Sequence, residues 1–144
     1  MDEATAPGSM VLLMRLTRVL HRRSTEKVLG MRVKEYVALV NLRDHDHEGM
    51  PQQELGEQLG MDANNLVLLL NELEADGLAE RRRDPADRRR HIVQVLPAGR
   101  RALERAERGM ERVEDEVLAA LSPEERATLR RLLVRALEGQ PAAR

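Results

Sequence analysis

Six arginines crowd one stretch of this chain, RRRDPADRRRH, from Arg81 to His91. Two triplets, Arg81, Arg82, Arg83 and Arg88, Arg89, Arg90, flank Asp-Pro-Ala-Asp. Guanidinium groups are planar, permanently charged donors that suit phosphates and carboxylates. Like charges this close repel, so the run is either a solvated surface feature or the binding surface for something strongly negative. A second set of polar groups lies just upstream: Asn64, Asn65 and Asn71, with Val67 and Leu68 among them. A side-chain amide can pair with the adenine edge, and an apolar side chain can touch a thymine methyl. Together with the arginines they are the residues whose types could bind a partner.

Elements with helical and hairpin periodicity must position these groups. Asp62 is a favourable N-cap, and Leu66, Leu69, Leu70 and Leu73 follow the i, i+3, i+4, i+7 rule before Gly77, predicting a helix over 62–76. The asparagines, Val67 and Leu68 fall on its opposite face. Upstream, PQQELGEQLG predicts a short helix opening at Pro51 and stopped by Gly60. The two helices, joined by Gly60-Met61-Asp62, read as a helix-turn-helix. Downstream, the period changes to two. Residues 78–96 read as a β-hairpin, with DPAD as its turn and the β-branched HIVQVL as its second arm.

The flanks are helical. MVLLMRLTRVL opens a helix predicted over 10–29, and MRVKEYVALVNL a second, with Val33, Tyr36, Leu39 and Val40 facing inward. In PAGRRALERAERGMERVEDEVLAAL, Leu103, Ala106, Met110, Val113 and Val117 make a narrow seam of coiled-coil type. SPEE starts the last helix with a capping box, Ser122 with Glu125 and Pro123 between them. The expected fold is mainly α with a small β-hairpin wing, in the order helix, helix, helix, helix, strand, strand, helix, helix. Residues 1–144 form one domain on this reading: a lobe over 31–97, with recognition helix 62–76 and wing 78–96, and dimerisation helices over 10–29 and 98–138. The terminal helices carry more apolar face than so small a centre can cover, which favours a homodimer with these helices interleaved.

Composition narrows the function. The chain has 144 residues, 34% charged and 42% hydrophobic, with Tyr36 as its sole aromatic. It has no cysteine, which excludes disulfides, thiolate metal sites and thiol redox switches. Net charge is −1, yet Arg81–Arg101 holds eight arginines against Asp84 and Asp87, so contact with a polyanion should be local. No apolar run is long enough for a membrane span, and the first residues, MDEATAPGS, are unlike a signal peptide; the expected location is cytoplasmic. There is no phosphate-cradling glycine loop, framed carboxylate pair or Ser-His-Asp order, so an enzyme is not expected and no cofactor is implied. Asp44–Gly49, DHDHEG, places two histidines among three acids, but a short polar connector is the plainer reading than a metal site.

Taken together, LGMRVKEYVALVNL and QQELGEQLGMDANNLVLLLNELEADGLAERRRDPADRRRHIVQVLPAG resemble the MarR (multiple antibiotic resistance regulator) family of winged helix-turn-helix repressors. The resemblance covers nearly the whole chain, and its most specific part is the hairpin followed by Pro-Ala-Gly. It implies a homodimeric transcriptional regulator, a repressor binding double-stranded DNA at a pseudo-palindromic operator. In many members a small-molecule effector bound between the dimer helices and the DNA-binding lobe relieves repression. Carried over by residue, it implies major-groove contacts from Asn64, Asn65, Val67, Leu68 and Asn71. In the wing, Arg89 would enter the minor groove, oriented by Asp87, with Arg88, Arg90 and Arg81–Arg83 as phosphate contacts or intramolecular partners. Tyr36 and His21 are the residues placed to border an effector pocket.

Some positions depart from the family pattern. Val67 and Leu68 stand where polar or basic residues are usual, and 62–76 has no Lys or Arg and four acids. Phosphate attraction supplies most non-specific DNA affinity. Either the wing supplies it here, or the fold has lost operator binding and serves as a protein-interaction module. Leu96 and Arg32 replace the usual Thr and Ser/Thr caps, each at an expected cost of about 1 kcal/mol.

Overall fold

The computed structural model describes residues 1–45 and 48–140. After a 3-10 turn at Glu3–Thr5 come α1 (Ser9–Arg23), α2 (Glu26–Leu29), α3 (Val33–Asp44), β1 (Met50–Pro51), α4 (Gln52–Leu59) and α5 (Ala63–Ala75). The chain continues through β2 (Ala79–Arg83), β3 (His91–Val95), α6 (Pro97–Val117) and α7 (Pro123–Glu138). The expected helix over 10–29 is therefore two helices. Ser24 turns its hydroxyl back to the Leu20 carbonyl at 2.7 Å, and Thr25 Oγ1 accepts the Val28 N–H, capping a new turn.

The helix-turn-helix packs through leucine. Leu55 of α4 and Leu66, Leu69, Leu70 and Leu73 of α5 are buried, with Leu39 and Leu42 of α3 in the same cluster. Burying one such side chain fully stabilises the fold by roughly 1.5–3 kcal/mol. The hairpin pairs Ala79 with Val95 and Arg83 with His91. Val93 and Val95 send their side chains into the core, while Ile92 and Gln94 are half-buried. A strand that periodicity could not reveal completes the sheet: β1 pairs Met50 with Val93 and Pro51 with Ile92, giving the antiparallel order β1-β3-β2. Met50 is thereby buried and α4 is anchored to the wing.

The seam on α6 faces its own chain. Leu103, Ala106 and Val113 are buried, and α6 packs against α1, α2 and α3. These three residues of the seam are covered within the chain. Two glycines let α6 approach so closely. A Cβ on Gly99 would lie 2.1 Å from the Leu78 carbonyl oxygen, and one on Gly109 would lie 2.4 Å from that of Val28. By contrast α1 and α7 bury no residue, and Met10, Met14, Leu132 and Leu137 are exposed.

The missing caps have different outcomes. Leu96 provides none, and Pro97 simply occupies the first turn of α6. At α3 the carboxylate of buried Glu35 accepts both the backbone N–H of Arg32, at 3.3 Å, and its Nε–H, at 2.9 Å. Part of the expected capping loss at Arg32 is thus offset from three residues downstream.

Gly109→Ala should lower stability by roughly 1–2 kcal/mol in urea unfolding, because the backbone clash outweighs the gain of about 1 kcal/mol in helix propensity. Gly139→Ala, whose Cβ would meet nothing nearer than 3.7 Å, is the matched control and should change little.

Candidate nucleic-acid interface

The start of α5 is fixed by its cap. Asp62 Oδ1 accepts the Asn65 N–H at 2.9 Å, and this bond holds the Asp62 carboxyl below its ordinary pKa. Asn64, Asn65, Val67, Leu68 and Asn71 are all exposed, on the face opposite the leucine stripe. Two of the three amides are engaged within the chain. Asn65 Nδ2 donates to Asp62 Oδ2 at 2.7 Å, and Asn71 Oδ1 accepts from Arg81 Nη2 at 2.5 Å.

The acids on the second half of α5 are also occupied. Glu74 pairs with Arg81 Nε, and Glu72 pairs with Arg32 Nη2 and, at 3.9 Å, with Lys34 Nζ. Cations from β2 and α3 therefore offset the carboxylates that made the helix look hostile to a polyanion. The contribution of Arg32 and Lys34 was not visible in the sequence, because 40 residues separate Arg32 from Glu72.

The six wing arginines divide into two groups. Those of β2 are bound within the chain: Arg81 to α5, Arg82 Nη2 to the Glu48 carbonyl at 2.6 Å, and Arg83, itself exposed, through Nη1 to the Arg88 carbonyl at 2.7 Å. Those after the turn face solvent: Arg88, Arg89 and Arg90 are exposed, Arg89 with 92% of its side-chain surface free. The turn between them is closed by Asp84 N–H to the Arg90 carbonyl and Arg90 N–H to the Asp87 carbonyl, both at 2.9 Å. Asp87 Oδ1 accepts the Arg89 N–H at 3.1 Å and the guanidinium Nε–H of Arg89 at 3.3 Å, so it orients this side chain while leaving most of it exposed. Arg89 and Arg90 face Gln52 and Gln53 of α4 and Ala63 of α5 across a cleft of about 520 Å³. The glutamines are donors and acceptors that the sequence reading had not singled out.

The residues expected to border an effector pocket are apart. His21 is exposed in a shallow groove lined by α1 residues alone. Tyr36 is half-buried against the core; burial, and then the nearby Glu107 carboxylate, raise its pKa. A different groove, about 340 Å³, lies between α1, α6 and α7, with Leu16, Leu20, Met110, Leu129 and Leu133 in its walls. Of the possible metal ligands in DHDHEG, Asp46 and His47 lie outside the described residues. Among the described residues no three His, Cys, Asp or Glu side chains gather to hold a metal, and no helix is long and apolar enough to cross a membrane.

The sequence model of the MarR family matches residues 29–90, the lobe just described up to the wing tip. The whole architecture superposes on a solved structure described as a probable transcriptional regulator from Pseudomonas aeruginosa. Identity is 31% and the TM-score 0.72, over 89% of this chain and 96% of that one. It also superposes on the crystal structure of MarR, with 26% identity and TM-score 0.78, over 96% of this chain and 92% of the other. The chain belongs to the MarR family. Among curated relatives, it is 37% identical over 90 residues to a Thauera aromatica protein named for transcriptional regulation of the hcr operon. That match covers 62% of this chain. The chain spans 54% and 58% of the length of the two curated relatives it matches.

In this MarR-family lobe Arg81 is the side chain that ties wing to recognition helix. Arg81→Ala should cost about 1 kcal/mol of stability, the scale for a partly exposed ion pair. It should also speed amide exchange in β2 relative to α4. Unchanged exchange in β2 would show that the hairpin does not depend on this strut.

Proposed function

We propose that this protein is a sequence-specific DNA-binding transcriptional regulator, acting as a homodimeric repressor on a pseudo-palindromic operator. The observation that carries the reading is the placement of Arg88, Arg89 and Arg90. They project from a braced hairpin beside the exposed face of α5, and Arg89 and Arg90 bound the cleft against α4 and α5. A helix presented to a major groove with flanking arginines able to meet phosphates or an adjacent minor groove is the arrangement that DNA recognition requires. Arg89, oriented by Asp87, is the residue placed to enter the minor groove, where a narrow A·T tract strengthens the negative potential. Arg88 and Arg90 serve the phosphates. Arg81, Arg82 and Arg83 brace the wing and do not spend their charge on DNA.

The dimer follows from the unburied helices. Met10, Met14, Leu132 and Leu137 are each more than half exposed, on two helices in which no residue is fully buried. A second copy covers both helices at once and doubles the reading head. Two-fold symmetry then sets half-sites about one helical turn, roughly 10 base pairs, apart. The groove between α1, α6 and α7 adjoins this surface, where a small apolar effector would couple to the spacing of the two lobes.

Arg89→Ala should weaken operator binding by roughly 1–3 kcal/mol in a mobility-shift titration at fixed salt, and Arg88→Ala or Arg90→Ala should each reduce the salt slope by about 1. Unchanged affinity in Arg89→Ala would overturn the wing assignment; binding that selects no sequence at all would favour a protein-interaction module. Leu137→Glu should shift the protein from dimer to monomer in sedimentation velocity and lower operator affinity with it.

A further inference from the structure

The exposed face of α5 is poor in free hydrogen-bonding groups. Asn65 has its Nδ2 on Asp62, and Asn71 has its Oδ1 on Arg81 and stands beside the Arg81–Glu74 pair. Reading adenine with an amide takes a donor and an acceptor presented together. Each of these two amides is turned toward a partner within the chain, which leaves Asn64 as the amide of this face not oriented in that way. Between them stand two adjacent aliphatic side chains, Val67 at 37% and Leu68 at 58% exposure. No Lys or Arg occurs anywhere in 62–76. Single exposed aliphatics are ordinary. An adjacent pair on the outward face of this helix, with three exposed arginines on the neighbouring wing, is not explained by packing, because the leucine stripe already supplies the helix with its buried face.

The occupant must be strongly anionic for the wing and carry apolar spots for α5. The major groove of duplex DNA is both: its only apolar groups are the C5-methyls of thymine, and the phosphates run along its rims. We propose that α5 reads its site chiefly through thymine methyl groups contacted by Val67 and Leu68, rather than through amide pairing with adenine. The proposal rests on the DNA-binding reading above and specifies its chemistry. It makes the specificity one of methyl against hydrogen, so that thymine and uracil, which pair identically, are different letters to this protein.

The test starts by selecting bound duplexes from a random library with the full chain. The enriched site is then rebuilt with single deoxyuridines in place of each thymidine, and affinities are measured at fixed salt for the wild type, Val67→Ala and Leu68→Ala. In the wild type, uracil at one or two positions of each half-site should weaken binding about fourfold, the equivalent of about 0.8 kcal/mol for one buried methyl-sized group. Each alanine variant should lose the thymine–uracil difference at its own position. Both should keep the wild-type salt slope and melting temperature, since the side chains are exposed. An enriched site at which every uracil leaves affinity unchanged would overturn the methyl reading while leaving the DNA-binding reading intact. So would loss of sequence preference in Asn64→Ala with the thymine–uracil difference unaltered in Val67→Ala and Leu68→Ala. Failure to enrich any site would instead overturn the DNA-binding reading, and this proposal with it.

Discussion

The guanidinium of Arg81 joins the two halves of the reading surface. It leaves β2, reaches α5, and meets an amide and a carboxylate one turn apart, Asn71 and Glu74. Without such a strut the hairpin and the helix would be related only by the leucines beneath them and by the short link through Gly77. Apolar packing sets distance well but resists twisting weakly, because dispersion is non-directional. A forked, charged donor adds direction. The wing therefore has a defined attitude to the helix, which allows Arg89 and the face of α5 to address one rigid object together.

The same interaction accounts for a charge pattern that looks contradictory along the chain. Four acids on the reading helix, followed at once by six arginines, suggest a surface in conflict with itself. In three dimensions the conflict is largely removed. Glu72 and Glu74 face Arg32, Lys34 and Arg81, and Asp62 is used as a cap. What reaches solvent is a nearly neutral helix face bordered by a positive ridge at Arg88–Arg90. A net charge of −1 for the whole chain is compatible with this, because field strength close to the surface depends on the local arrangement rather than on the sum.

Much of this was legible in the order of residues. The leucine stripe of α5 and the alternation of Val93 and Val95 each follow from a short-range rule of spacing, and the Asp87–Arg89 pair from the family resemblance. Long-range relations were not legible. No periodicity announces a two-residue strand, so β1 and the pairing of Met50 with Val93 had no signal beyond the position of Pro51 before a helix. The break at Ser24–Thr25 was hidden because hydrophobic spacing continued through it, while two hydroxyls redirected the backbone. The spacing of the α6 seam marked a covered face but not what covers it: coordinates show Leu103, Ala106 and Val113 covered by their own chain. The division of the arginines into those bonded within the chain and those left to solvent also needed coordinates, since Arg81–Arg83 and Arg88–Arg90 look alike on paper.

Gly99 and Gly109 let α6 lie directly against the main chain of its neighbours, at Leu78 before the hairpin and at Val28 in α2. A joint of side chains can creep, since rotamers change and methyl groups slide past one another. A joint of backbone against backbone has no such lubricant. The shaft of α6 is thus held against main chain near its start, at Gly99, and near its middle, at Gly109. The molecule behaves less like a ball of packed helices than like a key welded to its stem.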